Sequence, residues 1–131
     1  MTKILVVDDE KEIADLIEFY LSNEGYEVLK GNTGKEAIDV INKHDIDLAI
    51  LDIMLPDIDG FTILKSIREK FYYPVIMLTA KVEDIDKIMG LTMGADDYIT
   101  KPFNPLEVVA RVKTQIRRTK LYNKEVESKF I

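Results

Sequence analysis

The feature that most constrains the fold is a series of short, almost continuous apolar runs separated by helical patterns. The runs are KILVV (3–7), YEVLK (26–30), DLAIL (47–51), PVIML (74–78) and the weaker DYIT (97–100). Because they show little alternation of polar and apolar residues, they are typical of strands buried on both faces, as in a parallel sheet. The sequence therefore predicts five parallel strands, each followed by a helix.

Apolar residues between these runs recur at helical spacing. The first helix shows the i, i+3, i+4, i+7 pattern over 13–20, and a capping box at 33–36 begins the second. Patterns in 61–71 and 82–94 predict a third and a fourth helix, and a fifth begins at Pro105. Alternating strands and helices imply right-handed crossovers, so we expect a single doubly wound α/β domain of the (βα)5 type.

The composition excludes several classes of protein. With 131 residues the chain is long enough for one domain, and the absence of cysteine excludes disulfides and thiolate metal sites. No apolar run approaches the roughly 20 residues of a membrane helix, so we expect a cytoplasmic protein with no membrane partner. The net charge of −6 argues against direct binding of nucleic acid by this domain.

Polar side chains follow the predicted strands where each strand ends. Asp8 and Asp9 follow the first strand, Asp52 the third, Thr79 the fourth and Lys101 the fifth. In a parallel sheet these ends meet at one edge, where ligands bind. Clustered carboxylates without a cation repel one another, and Mg²⁺, which prefers oxygen ligands, would relieve that repulsion. A carboxylate nucleophile, a metal ion, a lysine and a hydroxyl are the parts that phosphoryl transfer requires.

Asp52 is the candidate nucleophile, because it lies on the middle strand, whereas the adjacent Asp8 and Asp9 suit metal binding. The turn-rich loop IMLPDIDG that follows could bring the Met54 carbonyl to the metal. Simpler alternatives remain open at this point. The adjacent acids could stabilise the first turn of a helix, and Thr79 could be an ordinary helix cap.

Four segments, VVDDE, LDIMLPDIDG, MLTA and DDYITKPF, occur in an order and at a spacing that resemble the receiver domain of bacterial two-component response regulators. The resemblance covers about residues 3–119. It implies a flavodoxin-like fold whose five-stranded parallel sheet has the strand order 2-1-3-4-5.

The resemblance also implies roles for the residues at the strand ends. Asp52 matches the residue that accepts a phosphoryl group from a sensor histidine kinase, and Lys101 matches the lysine that binds this group. The implied ligands of Mg²⁺, for which Mn²⁺ could substitute, are Asp8, Asp9, Asp52 and the Met54 backbone carbonyl. Such a domain is not an enzyme, beyond catalysing its own phosphorylation and slow dephosphorylation.

Two further residues match the parts of the family that respond to phosphorylation. Thr79 matches the hydroxyl that turns toward the phosphoryl group, and Tyr98 matches an aromatic residue that changes rotamer. Tyr98 could instead be ordinary packing. Pro102 corresponds to a proline that follows a cis peptide bond, which would place Lys101 in the site.

The segment GADDYITKPFNPLEVVARVKTQIRR is most similar to the OmpR/PhoB subfamily, whose members carry a winged-helix DNA-binding domain. A narrower resemblance is to the regulators of vancomycin-resistance systems. The subfamily forms homodimers through the fourth helix, fifth strand and fifth helix. The charges that match this dimer face are Lys87 with Glu107, Asp97 with Arg111, and Asp96 with Arg118. These charges could equally form a solvated surface.

The resemblance implies a receiver domain over 1–119, and 120–131, where the apolar periodicity is lost, would be the start of an interdomain linker. The DNA-binding domain would then be missing from this chain, and DNA would be bound only through it. Two alternatives are a stand-alone receiver that acts through protein contacts and a Mg²⁺-dependent phosphohydrolase that forms an aspartyl-phosphate. The second usually needs an acid two residues after the nucleophile, where this chain has Met54.

Overall fold

The computed structural model describes the backbone of residues 1–80 and 94–130, with side chains through residue 121 outside that gap. The strands are β1 (Lys3–Val7), β2 (Glu27–Gly31), β3 (Leu48–Asp52), β4 (Val75–Thr79) and β5 (Asp97–Thr100). The helices are α1 (Lys11–Asn23), α2 (Gly34–Lys43), α3 (Gly60–Arg68) and α4 (Pro105–Phe130). The helix predicted over 82–94 lies outside the described residues, apart from Gly94. The helix α4 is therefore the one that the sequence predicts as the fifth.

The five strands form one parallel sheet in the order β2-β1-β3-β4-β5, which confirms the predicted doubly wound topology. The register pairs Val7 with Leu51, Asp52 with Leu78, and Thr79 with Thr100. The carboxyl ends of the four strands β1, β3, β4 and β5 therefore lie at one edge of the sheet, and the residues that follow them converge there.

Both faces of the sheet are covered, which explains why the apolar runs do not alternate. On β1, Leu5 and Val7 pack with buried residues of α2 and α3, whereas Ile4 and Val6 pack with buried residues of α1 and α4. Every residue of β3 and β4 is buried. The two apolar layers hold the sheet edge in place from both sides, since a densely packed core resists displacement of its strands.

Local capping follows the sequence closely at α2. The Thr33 hydroxyl accepts a hydrogen bond from the Glu36 backbone N–H at 3.1 Å, and the Glu36 carboxylate accepts one from the Asn32 backbone N–H at 3.0 Å. The first bond is the N-cap half of the predicted capping box, whereas the Glu36 carboxylate reaches back to the residue before the cap and not to the Thr33 N–H.

The C-terminal helix α4 is longer than the sequence pattern indicates, because it continues through Phe130. This segment contains neither Gly nor Pro and is rich in Lys and Glu, which favour helix even without an apolar stripe. Loss of apolar periodicity in the sequence therefore does not mark the end of the helix. Among the helices that the structure describes, none combines the length and apolar character needed to cross a membrane.

Candidate functional site

The carboxyl edge of the sheet brings together the polar residues predicted from the strand ends. Asp8 is fully buried, and Asp52 and Thr79 are almost fully buried. A backbone hydrogen bond of 2.7 Å from the Lys101 N–H to the Thr79 carbonyl extends the pairing of β4 and β5 and fixes the start of the next loop. Residues from four strands thus share one small volume.

The Lys101 side chain lies between two acids from different strands. Its Nζ atom is 2.8 Å from Asp8 Oδ2 and 3.1 Å from Asp52 Oδ2. The peptide bond between Lys101 and Pro102 is cis, as the sequence resemblance predicts. A single ammonium group therefore forms ion pairs with both buried carboxylates of the site. When both acids are ionised, one positive charge neutralises only one of the two negative charges.

This charge imbalance is reflected in the acidity of the groups. Burial, together with repulsion from Asp8, raises the pKa of Asp52 to about 6, although Lys101 and a 3.1 Å hydrogen bond from the Met54 N–H oppose the change. Burial acts to lower the pKa of Lys101, but Asp8 and Asp52 outweigh it and raise that pKa above its ordinary value. The lysine is therefore firmly cationic, while Asp52 carries its negative charge at an energetic cost.

The arrangement fits a hard divalent cation. Carboxylate oxygens of Asp8, Asp9 and Glu10 lie within 4.8 Å of one another, with Asp9 and Glu10 exposed at the rim. Apart from its ion pair with Lys101, the buried Asp8 Oδ2 has no hydrogen-bond partner among the described residues. Carboxylate oxygens beside an incompletely satisfied buried oxygen suit Mg²⁺, which takes one or two carboxylates and keeps several waters.

The acidic cluster differs in one respect from the predicted ligand set. Glu10, which is not among the predicted ligands, has its carboxylate in the cluster, whereas Asp52 is connected to Asp8 through Lys101. The signal for Glu10 was present in the run of three consecutive acids. Met54 is 73% exposed. The group of this residue that is predicted to bind the metal ion is its backbone carbonyl.

Thr79 is buried at this edge, and Tyr98 is buried within β5, in register with Met77. Tyr98 is 8% exposed and belongs to the core cluster that packs against α2 and α3. In this structure Tyr98 therefore lies where a residue that serves only to pack the core would lie. A role as a switch remains a prediction for both residues.

Four of the charges predicted for a dimer face, those of Asp96, Asp97, Glu107 and Arg111, are paired within the chain. Arg111 Nη1 lies 2.8 Å from Asp97 Oδ1, and Arg111 Nη2 lies 3.6 Å from Glu107. Asp96 forms its ion pair with Arg68 at 2.8 Å, a partner that the sequence pattern does not indicate, and not with Arg118 of the same chain. Lys87 lies outside the described residues. Pairing across a two-fold axis stays a prediction.

Comparison with known protein families gives an independent view of the chain. The family model described as "Response regulator receiver domain" matches residues 4–113. The "Regulatory protein VanRc" of Enterococcus gallinarum is 64% identical over 126 residues, which cover 96% of this chain and 54% of that protein. The "Regulatory protein VanR" of Enterococcus faecium is 64% identical over 121 residues, covering 92% and 52%. The chain thus spans about half the length of these relatives.

Solved structures show the same architecture. A CheY-like receiver domain protein from Methanospirillum hungatei JF-1 has a TM-score of 0.89 at 32% identity, covering 93% of this chain and 98% of that chain. The response regulator DrrB of Thermotoga maritima, described as an OmpR/PhoB homologue, has a TM-score of 0.84 at 38% identity, covering 91% and 54%. A BeF3-activated DrrB receiver domain has a TM-score of 0.83 at 37% identity, covering 89% and 98%.

Proposed function

This chain belongs to the response regulator receiver domain family of two-component systems, and we propose that its Asp52 accepts a phosphoryl group from the phosphohistidine of a sensor kinase. The observation that carries this assignment is the position of Lys101 Nζ, 2.8 Å from Asp8 and 3.1 Å from Asp52 at the carboxyl edge of the sheet. Of these two buried carboxylates, Asp52 lies on the central strand β3 and Asp8 belongs to the acidic cluster.

In the transfer step an oxygen of the Asp52 carboxylate attacks phosphorus. A phosphorus–oxygen bond forms as the phosphorus–nitrogen bond of the donor breaks, and the donor imidazole, protonated on its other nitrogen, leaves as the neutral ring. The Lys101 ammonium then contacts a phosphoryl oxygen, and the Thr79 hydroxyl donates a hydrogen bond to another. The positive charge of Lys101 and the Thr79 donor stabilise the charge that spreads over these oxygens.

Asp8, Asp9, Asp52 and the Met54 carbonyl would hold the metal ion, with Glu10 at the rim of the same cluster. Bound Mg²⁺, or Mn²⁺ in its place, supplies neutralisation of the phosphoryl oxygens. The oxygen-only donor set and the incompletely satisfied Asp8 Oδ2 support this assignment.

Phosphorylation of the site is proposed to change a protein-binding surface of the domain. The domain itself is proposed not to turn over external substrates as an enzyme. Movement of Thr79 and Tyr98 toward the phosphoryl group would favour a homodimer through the predicted fourth helix, β5 and α4. The charges proposed for this face are Lys87, Asp96, Asp97, Glu107, Arg111 and Arg118. Pairing brings attached domains together and raises their effective concentration on DNA.

The full protein is proposed to be a cytoplasmic regulator of transcription. Residues 1–119 would form its receiver domain and 120–131 the start of a linker, here helical through Phe130, to a C-terminal winged-helix domain that alone binds DNA. The support is that the enterococcal relatives are named as regulatory proteins and are about twice as long as this chain.

Beryllofluoride, which mimics an aspartyl phosphate, tests the assignment directly. In the presence of Mg²⁺, fluorine NMR should show a protein-bound signal for the wild-type chain and for Asp39→Asn, a control acid that is exposed on α2 and forms an ion pair with Lys43. The Asp52→Asn variant should show none, because it lacks the carboxylate oxygen. A bound signal in this variant would refute the assignment, and steady turnover of an external phosphomonoester would favour a phosphohydrolase instead.

A further inference from the structure

The loop that follows Asp52 is fastened to a helix that carries none of the proposed site residues. Asp57 Oδ1 accepts a hydrogen bond from the Gly34 N–H at 2.7 Å, and Asp57 Oδ2 accepts one from the Lys35 N–H at 3.0 Å. Both donors belong to the first turn of α2, where backbone N–H groups lack partners within the helix. The Asp57 carboxylate therefore ties the loop over 53–59 to the start of α2.

Asn32, which precedes α2, is hydrogen-bonded to the loop that carries Asp8 and Asp9. Asn32 Nδ2 donates a hydrogen bond to the Asp8 carbonyl oxygen at 3.0 Å, and the Asp8 N–H donates to the Gly31 carbonyl at 3.1 Å. The Asn32 backbone is held in turn by Glu36 of the capping box. Asn32 and the first turn of α2 thus together contact both loops that supply the proposed metal ligands.

Close packing leaves little room for these loops to move. A Cβ atom added to Gly34 would lie 2.6 Å from Ile58 Cβ, and one added to Gly60 would lie 2.4 Å from the Asp52 carbonyl oxygen. The loop after Asp52 is therefore seated against α2 at one side and against its own strand at the other. Backbone hydrogen bonds, above all the one from the Gly34 N–H, hold the pKa of Asp57 below its usual range. The Asp57 carboxylate that joins the loop to α2 is therefore ionised at neutral pH.

We propose that Asn32, Gly34, Lys35 and Asp57 form a brace that sets the separation of the two ligand-bearing loops, so that Asn32 and Asp57 are positioning residues for the metal ion. The inference rests on the function proposed above, because that function places the metal between these loops. Neither residue touches the metal. Each acts by holding backbone that a direct ligand depends on, as outer-shell residues do around other metal sites.

The expected effect is on metal affinity. Removal of outer-shell partners typically weakens metal binding 10–100-fold, so Asp57→Ala should raise the dissociation constant for Mn²⁺ about tenfold, and Asn32→Ala should raise it several-fold. Asp57→Asn, which keeps one acceptor oxygen for the Gly34 N–H, should restore part of the loss. In the double variant Asn32→Ala/Asp57→Ala, the increase in the dissociation constant should be smaller than the product of the two single increases. The reason is that loss of either contact already releases the loops from the brace.

The experiment measures free Mn²⁺ by EPR during titration of each variant, with Mg²⁺ as competitor, and the melting temperature alongside. Thr33→Ala is the matched control, because it removes the cap of α2, and the hydrogen bonds that the structure describes for the Thr33 hydroxyl run to Glu36 and not to either ligand-bearing loop. The brace predicts that Asp57→Ala and Thr33→Ala melt lower, and that only Asp57→Ala loses metal affinity.

The outcomes separate the brace from the proposed function. If the wild-type chain binds no Mn²⁺, the proposed metal site itself fails. If the wild type binds Mn²⁺ and Asp57→Ala binds it within threefold of Thr33→Ala, the brace is overturned while the site stands. Should Asp57→Ala fail to fold, the comparison of Asp57→Asn and Asn32→Ala with Thr33→Ala decides by the same threefold criterion.

Discussion

Replacing Asp52 with asparagine should make the metal-free protein more stable at neutral pH, although it removes the proposed phospho-acceptor. Asp52 is 4% exposed, and burial together with Asp8 raises its pKa to about 6 from an ordinary value of 3.8. Because the folded pKa lies above the unfolded one, the folded state binds this proton more tightly. The resulting stability is fully present below about pH 4 and is lost as the pH rises through 6.

The magnitude follows from the shift. About two pKa units correspond to roughly 3 kcal/mol, which is the most that ionisation of Asp52 can cost the folded wild type above pH 6. Asparagine occupies nearly the same volume and carries no charge, so it leaves Lys101 to pair with Asp8 alone. We therefore expect Asp52→Asn to raise the free energy of unfolding by about 1–3 kcal/mol at pH 7.5, and by almost nothing near pH 4.

The assay is urea unfolding followed by circular dichroism between pH 4 and 8, with EDTA to remove divalent ions. Asp39→Asn, at an exposed ion pair, is the control and should follow the wild type at every pH. Added Mg²⁺ should narrow the gap between Asp52→Asn and the wild type, because the ion stabilises the ionised wild-type site. A gap that does not change with pH, or a variant less stable than the wild type at pH 7.5, would refute the reasoning.

Three further predictions test other parts of the structure. Lys101→Ala leaves Asp8 and Asp52 buried without their cation, so its free energy of unfolding in EDTA at pH 7.5 should fall by about 3–5 kcal/mol; equal urea midpoints would contradict this. Burial raises the pKa of Tyr73 to about 12. Between pH 10 and 12 the free energy of unfolding of the wild type, measured with urea, should therefore fall by about 1 kcal/mol relative to that of Tyr73→Phe, a figure reduced for the partial exposure of the ring. Parallel pH curves for the two proteins would contradict this. Arg118→Glu should bind beryllofluoride normally but sediment as a monomer when the activated wild type forms dimers, and an unchanged dimer would remove Arg118 from the proposed face.

The sequence predicts most of the fold because its strongest signals come from burial. Runs such as 48–51 and 75–78 are apolar throughout because α2 and α3 cover one face of the sheet and α1 and α4 cover the other. The convergence of Asp8, Asp52, Thr79 and Lys101 follows from parallel strands ending at a common edge. The strand order itself came from the resemblance of motifs, since apolar periodicity does not determine which strands are neighbours.

What the sequence did not predict depends on contacts between segments far apart in the chain. Asp57 and Asn32 look like ordinary turn residues, and only the folded loops show that they join two sheet-edge loops to α2. Arg68 looks like a basic residue at a helix end, yet its guanidinium pairs with Asp96, 28 positions later. The extension of α4 to Phe130 was missed because helix propensity continues where amphipathic periodicity stops.

Peptide mapping of the phosphorylated chain tests the central assignment most directly. The wild-type protein is incubated with a small phosphoramidate donor and Mg²⁺, digested at a pH that preserves acyl phosphates, and analysed by tandem mass spectrometry. We predict one phosphoryl group, located on Asp52, whose appearance requires the divalent ion. A phosphoryl group on any other residue, or labelling that persists at the same level in Asp52→Asn, would contradict the account.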